Sequence, residues 1–230
     1  MRSLDVTIPV SADESVSGVL VVPQEFAVGR TAAVIVAHGA GNDMHTPLLA
    51  HFSAGLGRAG YLGLRFNFPY KEKGHKAPDP QEKLVRTWLA AFAFVKNHRQ
   101  YGTPRIVAAG KSMGGRIASQ MAADGLISAK ALVFLGYPLH PPGRKEQLRD
   151  AHLYRINIPM LFFAGTRDAL CDLELLKPVV SRLKAPADLE VVEGGDHSFV
   201  LPKSFKVSEQ EVYDRILKRT ITWLTQTIHS

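Results

Sequence analysis

The sequence predicts an α/β fold: a mostly parallel twisted sheet with helices on both faces, formed as a single domain over residues 1–230. Three observations carry this expectation. Short apolar runs alternate with longer amphipathic ones along most of the chain. The stretch AAVIVAHG (32–39) is an unbroken β-branched run closed by glycine, as suits a strand buried on both faces. No internal repeat, low-complexity tract or Pro/Gly-rich linker interrupts the pattern.

The elements follow in order. LDVTIPV (4–10) and GVLVVP (18–23) alternate in the β manner and pair as an opening hairpin. After the 32–39 strand comes a helix over 46–59, then the strand YLGLRFNF (61–68). A longer helix spans 80–98, with Trp88, Ala91, Phe92 and Val95 at 3–4 spacing on one face. PRIVAAG (104–110) is the third core strand and leads into a helix over 113–124. AKALVFLGYP (129–138), PMLFFAG (159–165) and ADLEVVEG (187–194) complete the strands, with helices over 172–184 and 208–228. The last helix opens on Ser208 with Glu211 three residues on, a capping-box pattern. In such sheets the functional loops gather at the carboxyl ends of the strands.

Composition narrows the function classes. The net charge of +7 raises the question of nucleic acid, but there is no basic run of five and no interleaving of aromatic with basic residues. A soluble basic surface is the simpler reading, and no nucleic-acid partner is expected. One cysteine, Cys171, excludes an internal disulfide and a cysteine-based zinc site, and it fits a reducing compartment. The N-terminal stretch lacks a signal-peptide apolar core, and no apolar run approaches the ~20 residues of a membrane helix. A cytoplasmic protein without a membrane partner is expected.

The stretch AAGKSMGGR (108–116) carries the chemistry. A phosphate-binding loop would need glycine five residues before Gly110, where Arg105 stands. The alternative, G-x-S-x-G, is filled by Gly110-Lys111-Ser112-Met113-Gly114 between a strand and a helix, the context of a nucleophile elbow. Such a turn is tight and strained, and glycines leave room where strand and helix nearly touch. The hydroxyl then stands at a helix N-terminus, where free N–H groups and the helix dipole favour negative charge.

An elbow serine needs a base and an orienting acid in the chain order Ser…Asp…His. Asp168 follows the 159–165 strand and His197 follows the 187–194 strand. Ser112 is expected to attack, His197 to accept its proton, and Asp168 to fix the imidazole tautomer. Asp172 is the alternative acid, but it stands where a helix N-cap belongs; Asp196 is expected to point away or cap a turn. The oxyanion hole is expected from the N–H of Met113 and from the loop His38-Gly39-Ala40-Gly41-Asn42, through Ala40 with Gly41 adjacent. Donors of this kind are worth roughly 3–4 kcal/mol each in the transition state. His38 reads as a hydrogen-bonding support rather than a base, and Cys171 as a small buried hydrophobe. His45, His75, His140 and His152 lack metal-ligand spacing, so no metal is expected.

The segments HGAG, GKSMGG, GTRD and GGDHSF, spanning 38 to 199, together resemble the α/β-hydrolase superfamily. The short chain, without an insertion for a lid domain, is similar to the dienelactone-hydrolase-like branch. RFNFPY (65–70), GYPLH (136–140) and LRDAHL (148–153) resemble a narrower group that includes a testis-expressed protein and a subunit of a nonspecific-lethal histone acetyltransferase complex. The resemblance implies an α/β-hydrolase fold and a Ser-His-Asp site. It departs from the dienelactone hydrolases at the elbow, where they carry cysteine and this chain carries Ser112.

The expected function is cleavage of a small ester, thioester or related acyl compound through an acyl-serine intermediate, with no cofactor. The alternative is an idle hydrolase fold used as a protein-interaction module. Candidate substrate-binding residues are Gly41, Phe68, Tyr70, Tyr137 and Leu139 in loops after strands, with Lys111. Lys111 and Arg116 flank the elbow; a structural ion pair or a solvated helix face is the simpler reading, with attraction of an anionic acyl group toward Ser112 as the alternative.

Overall fold

The computed structural model describes residues 1–228. Eight strands form one sheet: β1 (Arg2–Pro9), β2 (Ser15–Val22), β3 (Ala33–Ala37), β4 (Leu62–Phe66), β5 (Ile106–Lys111), β6 (Ala131–Leu135), β7 (Met160–Gly165) and β8 (Ala187–Val192). Their spatial order is β1-β2-β4-β3-β5-β6-β7-β8. The opening hairpin is antiparallel, with Leu4 opposite Leu20, and β2 runs antiparallel to β4. All later pairings are parallel. This is the α/β-hydrolase fold.

Helices cover both faces because the inner strands are apolar on both. Val34, Val36, Val107 and Ala109 pack on Phe52 and Leu56 of α1 (Pro47–Arg58) and on Ile216 and Trp223 of a long C-terminal helix (Glu209–Ile228). Their alternates Ala33, Ile35 and Ala108 face the other layer, among them Trp88, Ile117 and Leu176. That layer comprises helices Gln81–Asn97, Met113–Ala123 and Leu173–Ser181. In chain order, with a short helix α2 (Pro69–Glu72), these are α3, α4 and α5, and the C-terminal helix is α6. The capping box forms as expected: Ser208 N donates to Glu211 Oε2 at 2.8 Å, and Glu211 N to Ser208 Oγ at 3.3 Å.

Two boundaries differ from the expected ones. The β6 strand stops at Leu135, since Gly136 turns the chain at φ 73°. The stretch after β4, read as loop, contains α2. Pro69 supplies a preset φ at its first position, and Asp79 Oδ2 accepts from Tyr70 N at 2.7 Å. No lid interrupts the sheet: the segment between β6 and β7 holds only one 3-10 turn, Leu153–Arg155. Among the described residues no helix is long and apolar enough to cross a membrane.

Strands β3 and β5 are neighbours, yet the chain leaves β3 toward β4 and leaves β5 toward β6. The crevice at this change of direction is where open α/β sheets present ligands.

Candidate active site

Ser112 stands between β5 and α4 at φ 50° and ψ −117°, a left-handed conformation that a side chain adopts only under constraint. The constraint is close backbone packing. A Cβ on Gly110 would lie 2.2 Å from Gly115 N, so strand and helix touch there. A Cβ on Gly114 would lie 2.6 Å from Ala37 O, which docks the elbow against the end of β3. Ser112 N also donates to Leu135 O at 3.3 Å.

The loops after β7 and β8 bring the partners in. Gly165 and Gly195 pack main chain to main chain, and Arg167 N donates to Gly195 O at 2.9 Å. His197 Nδ1 lies 2.8 Å from Asp168 Oδ2, and Nε2 lies 2.8 Å from Ser112 Oγ. With the proton on Nδ1 donated to the carboxylate, Nε2 is left to accept the serine O–H. The Asp168 side chain is fully buried, and its other oxygen accepts from Leu170 N at 2.8 Å. Asp172 is turned away: it caps α5 through Glu174 N at 2.9 Å and pairs with Lys145. Asp196 accepts from Ser198 N and Val200 N, closing the turn that carries His197.

Ser112, Met113 and Ala40 line one cleft of about 380 Å³. The N–H of Met113 opens α4 and has no intrahelical acceptor. Ala40 is aimed by its neighbour's carbonyl. Gly39 O accepts from His38 Nδ1 at 2.8 Å and from Tyr70 O–H at 3.3 Å. In a trans peptide the N–H points opposite to the C=O, so fixing Gly39 O fixes the direction of Ala40 N–H. His38 Nε2 in turn accepts from Phe68 N at 3.1 Å. Burial draws the His38 pKa down to about 4, which keeps the ring neutral and able to donate on one side and accept on the other.

The substrate residues expected from sequence are not where that reading put them. Phe68, Tyr137 and Leu139 are at most 1% exposed and pack in the core. In the 137–139 segment it is Pro138 that faces the cleft. Tyr70 clamps the Gly39 carbonyl, and Gly41 is an exposed turn residue at φ 75°. Lys111 shares its strand face with Val107 and Ala109, so it points under the sheet end toward α1 and α6. It reaches a separate cavity of about 210 Å³ beside Glu209 and Tyr213. Its Nζ is buried without a hydrogen-bond partner among the described residues, and burial lowers its pKa to about 8 against the pull of Asp168 and Asp196.

What the sequence reading missed is Arg149, which lines the cleft with Arg116. Arg149 lies in LRDAHL, a stretch without periodicity, so no spacing signal tied it to Ser112.

A strained serine at a strand-to-helix turn, in reach of an imidazole held by a buried carboxylate, at the carboxyl ends of parallel strands, defines the class of α/β hydrolases. Residues 30–225 match the family model described as an alpha/beta hydrolase domain. The chain belongs to that family. Solved structures share the architecture at low identity. A dienelactone hydrolase from Anabaena variabilis is 19% identical with a TM-score of 0.74, over 99% of this chain and 98% of that one. Est1E from Butyrivibrio proteoclasticus, in its ferulic-acid-bound form, is 16% identical with a TM-score of 0.77, over 98% and 100%. An α/β serine hydrolase without lid from Xanthomonas campestris is 17% identical with a TM-score of 0.66, over 100% and 94%.

Proposed function

We propose that the protein is a serine hydrolase that cleaves a small ester, thioester or related acyl compound through an acyl-Ser112 intermediate. The observation that carries this reading is the relay from Ser112 Oγ through His197 to Asp168, with both hydrogen bonds at 2.8 Å. In this mechanism His197 Nε2 takes the serine proton as Oγ attacks the acyl carbon. Asp168 steadies the imidazolium, and the N–H groups of Ala40 and Met113 hold the oxyanion. His197 then returns its proton to the leaving group. Water, deprotonated by the same imidazole, releases the acid and restores Ser112. These steps need no metal or organic cofactor.

The chain acts as one domain, and the buried single cysteine supports a reducing, cytoplasmic setting. We place it in the narrower group resembled by RFNFPY, GYPLH and LRDAHL; two of those segments supply Tyr70 and Arg149.

The test is labelling by a fluorophosphonate probe, with the burst of nitrophenol release from 4-nitrophenyl acetate measured alongside. Wild type is expected to label stoichiometrically and to show a burst, and Ser112→Ala to do neither. An unlabelled, folded wild type overturns the reading in favour of an idle fold serving as an interaction surface.

A further inference from the structure

The cleft beside Ser112 contains two arginines that, among the described residues, pair with no carboxylate. Arg116, on the first turns of α4, and Arg149, on the loop after β6, both line it together with Ser112 and Ala40. Each is half-buried. Among the described residues the only side-chain partner of the Arg116 guanidinium is Gln120 Oε1, at a long 3.4 Å, and the Arg149 guanidinium has none. Burial, with the like charge of Arg149 adding to it, lowers the Arg116 pKa. The one acid on the cleft wall, Asp79, is already engaged by Tyr70 N at 2.7 Å and faces Lys83 at 3.5 Å.

The main chain beneath the pair is held in place. Tyr137 O–H donates to Arg149 O at 2.7 Å, and Ser119 O–H donates to Arg116 O at 2.7 Å. One imidazole joins these two anchors: His152 Nε2 lies 2.8 Å from Ser119 Oγ and 3.3 Å from Tyr137 Oη. Burial holds the His152 pKa at about 4, so the bridge is neutral. Arg149 N adds a bond to Leu139 O at 2.7 Å. Two like charges on an anchored main chain, lining one cleft, form a ready seat for an anion. A guanidinium fork suits a carboxylate in particular.

We infer that the enzyme's substrate carries a carboxylate at the far end of its acyl chain, seated between Arg116 and Arg149 while Ser112 attacks the ester carbonyl. This assignment rests on the serine-hydrolase reading above and specifies its substrate class. It moves the anion-binding role considered for Lys111 to Arg149, because Lys111 faces the opposite side of the sheet end.

The experiment compares two esters of equal acyl length: the 4-nitrophenyl hemiester of glutarate, an anion, and neutral 4-nitrophenyl valerate. A third, 4-carboxyphenyl valerate, carries its charge on the leaving group. Wild type is expected to favour the glutarate hemiester in kcat/KM. Arg116→Gln and Arg149→Gln should each lower the anionic-to-neutral ratio about tenfold or more, the effect of losing one charge-assisted hydrogen bond. Arg116→Lys should restore part of it. Hydrolysis of valerate without an anionic preference overturns this inference and leaves the hydrolase reading standing, as does a preference for the carboxyphenyl ester. If neither ester turns over and the fluorophosphonate fails, the hydrolase reading falls. Calorimetry with glutarate alone then decides the anion seat: saturable binding lost in both Arg→Gln variants supports it, and absence of binding overturns it.

Discussion

Gly110→Ala tests the packing that shapes the elbow. The added Cβ would lie 2.2 Å from Gly115 N and 2.5 Å from Gly114 C. Both are main-chain atoms, so no side-chain rotation relieves the clash. Ordinary contact begins at 3.4 Å, so α4 must retreat from β5 by about 1.2 Å. Overpacking of this kind destabilises by roughly 1–3 kcal/mol. The effect on chemistry should be larger. Ser112 and the Met113 N–H ride on the N-terminus of α4, and a displacement of about 1 Å at a reacting group lowers rates ~10²-fold. The expected result is a folded variant with a lower urea midpoint and kcat for 4-nitrophenyl esters down about a hundredfold. The two measurements belong together, because a drop in stability alone would reflect packing without placing the nucleophile. A Gly110→Ala protein with wild-type kcat and midpoint would refute the claim that this contact sets the serine's position.

Two further outcomes follow from the supports around the site. Tyr70→Phe keeps the ring in the core but removes one of the three donors to Gly39 O, leaving His38 Nδ1 and Asn42 N. It should cost about 1 kcal/mol of stability and lower kcat by about three- to tenfold at nearly constant KM, read by steady-state kinetics and urea unfolding. An unchanged kcat would leave Tyr70 with a packing role alone. Lys111→Met should stabilise the protein at pH 7, because a buried ammonium without a hydrogen bond is replaced by an apolar chain of similar length. The folded pKa of Lys111, about 8, lies below its ordinary 10.5. Between these values the unfolded chain binds more protons, so the wild type gains stability as pH rises through that window. The variant's advantage should therefore be largest below pH 8 and shrink toward pH 10.5, when urea midpoints are compared across pH. An advantage independent of pH would show that the ammonium's charge is not what destabilises.

Most of the fold was legible because each inner strand is a continuous apolar run with clear stops. Every strand and all five long helices lie within a few residues of the expected spans. The residues Ser112, Asp168 and His197 were legible as candidates because the elbow has fixed spacing and its partners follow strand ends in a set order. The cleft wall was not. Loop residues were assigned to it by proximity in sequence, but aromatic and aliphatic side chains after a strand turn inward when apolar surface is available to bury them, as Phe68, Tyr137 and Leu139 do. Lys111 misled for a simpler reason: strand alternation sends its side chain away from the serine that follows it. Arg149 became visible only when the chain folded it onto Arg116.

The division of labour at residue 40 has a practical consequence. Only its amide is assigned to the chemistry, and that amide is oriented by the carbonyl of the preceding residue, while its methyl group is exposed at the cleft rim. Side-chain identity at this position is thereby uncoupled from catalysis, making it a natural handle for retuning which esters gain admission without disturbing the machinery beneath.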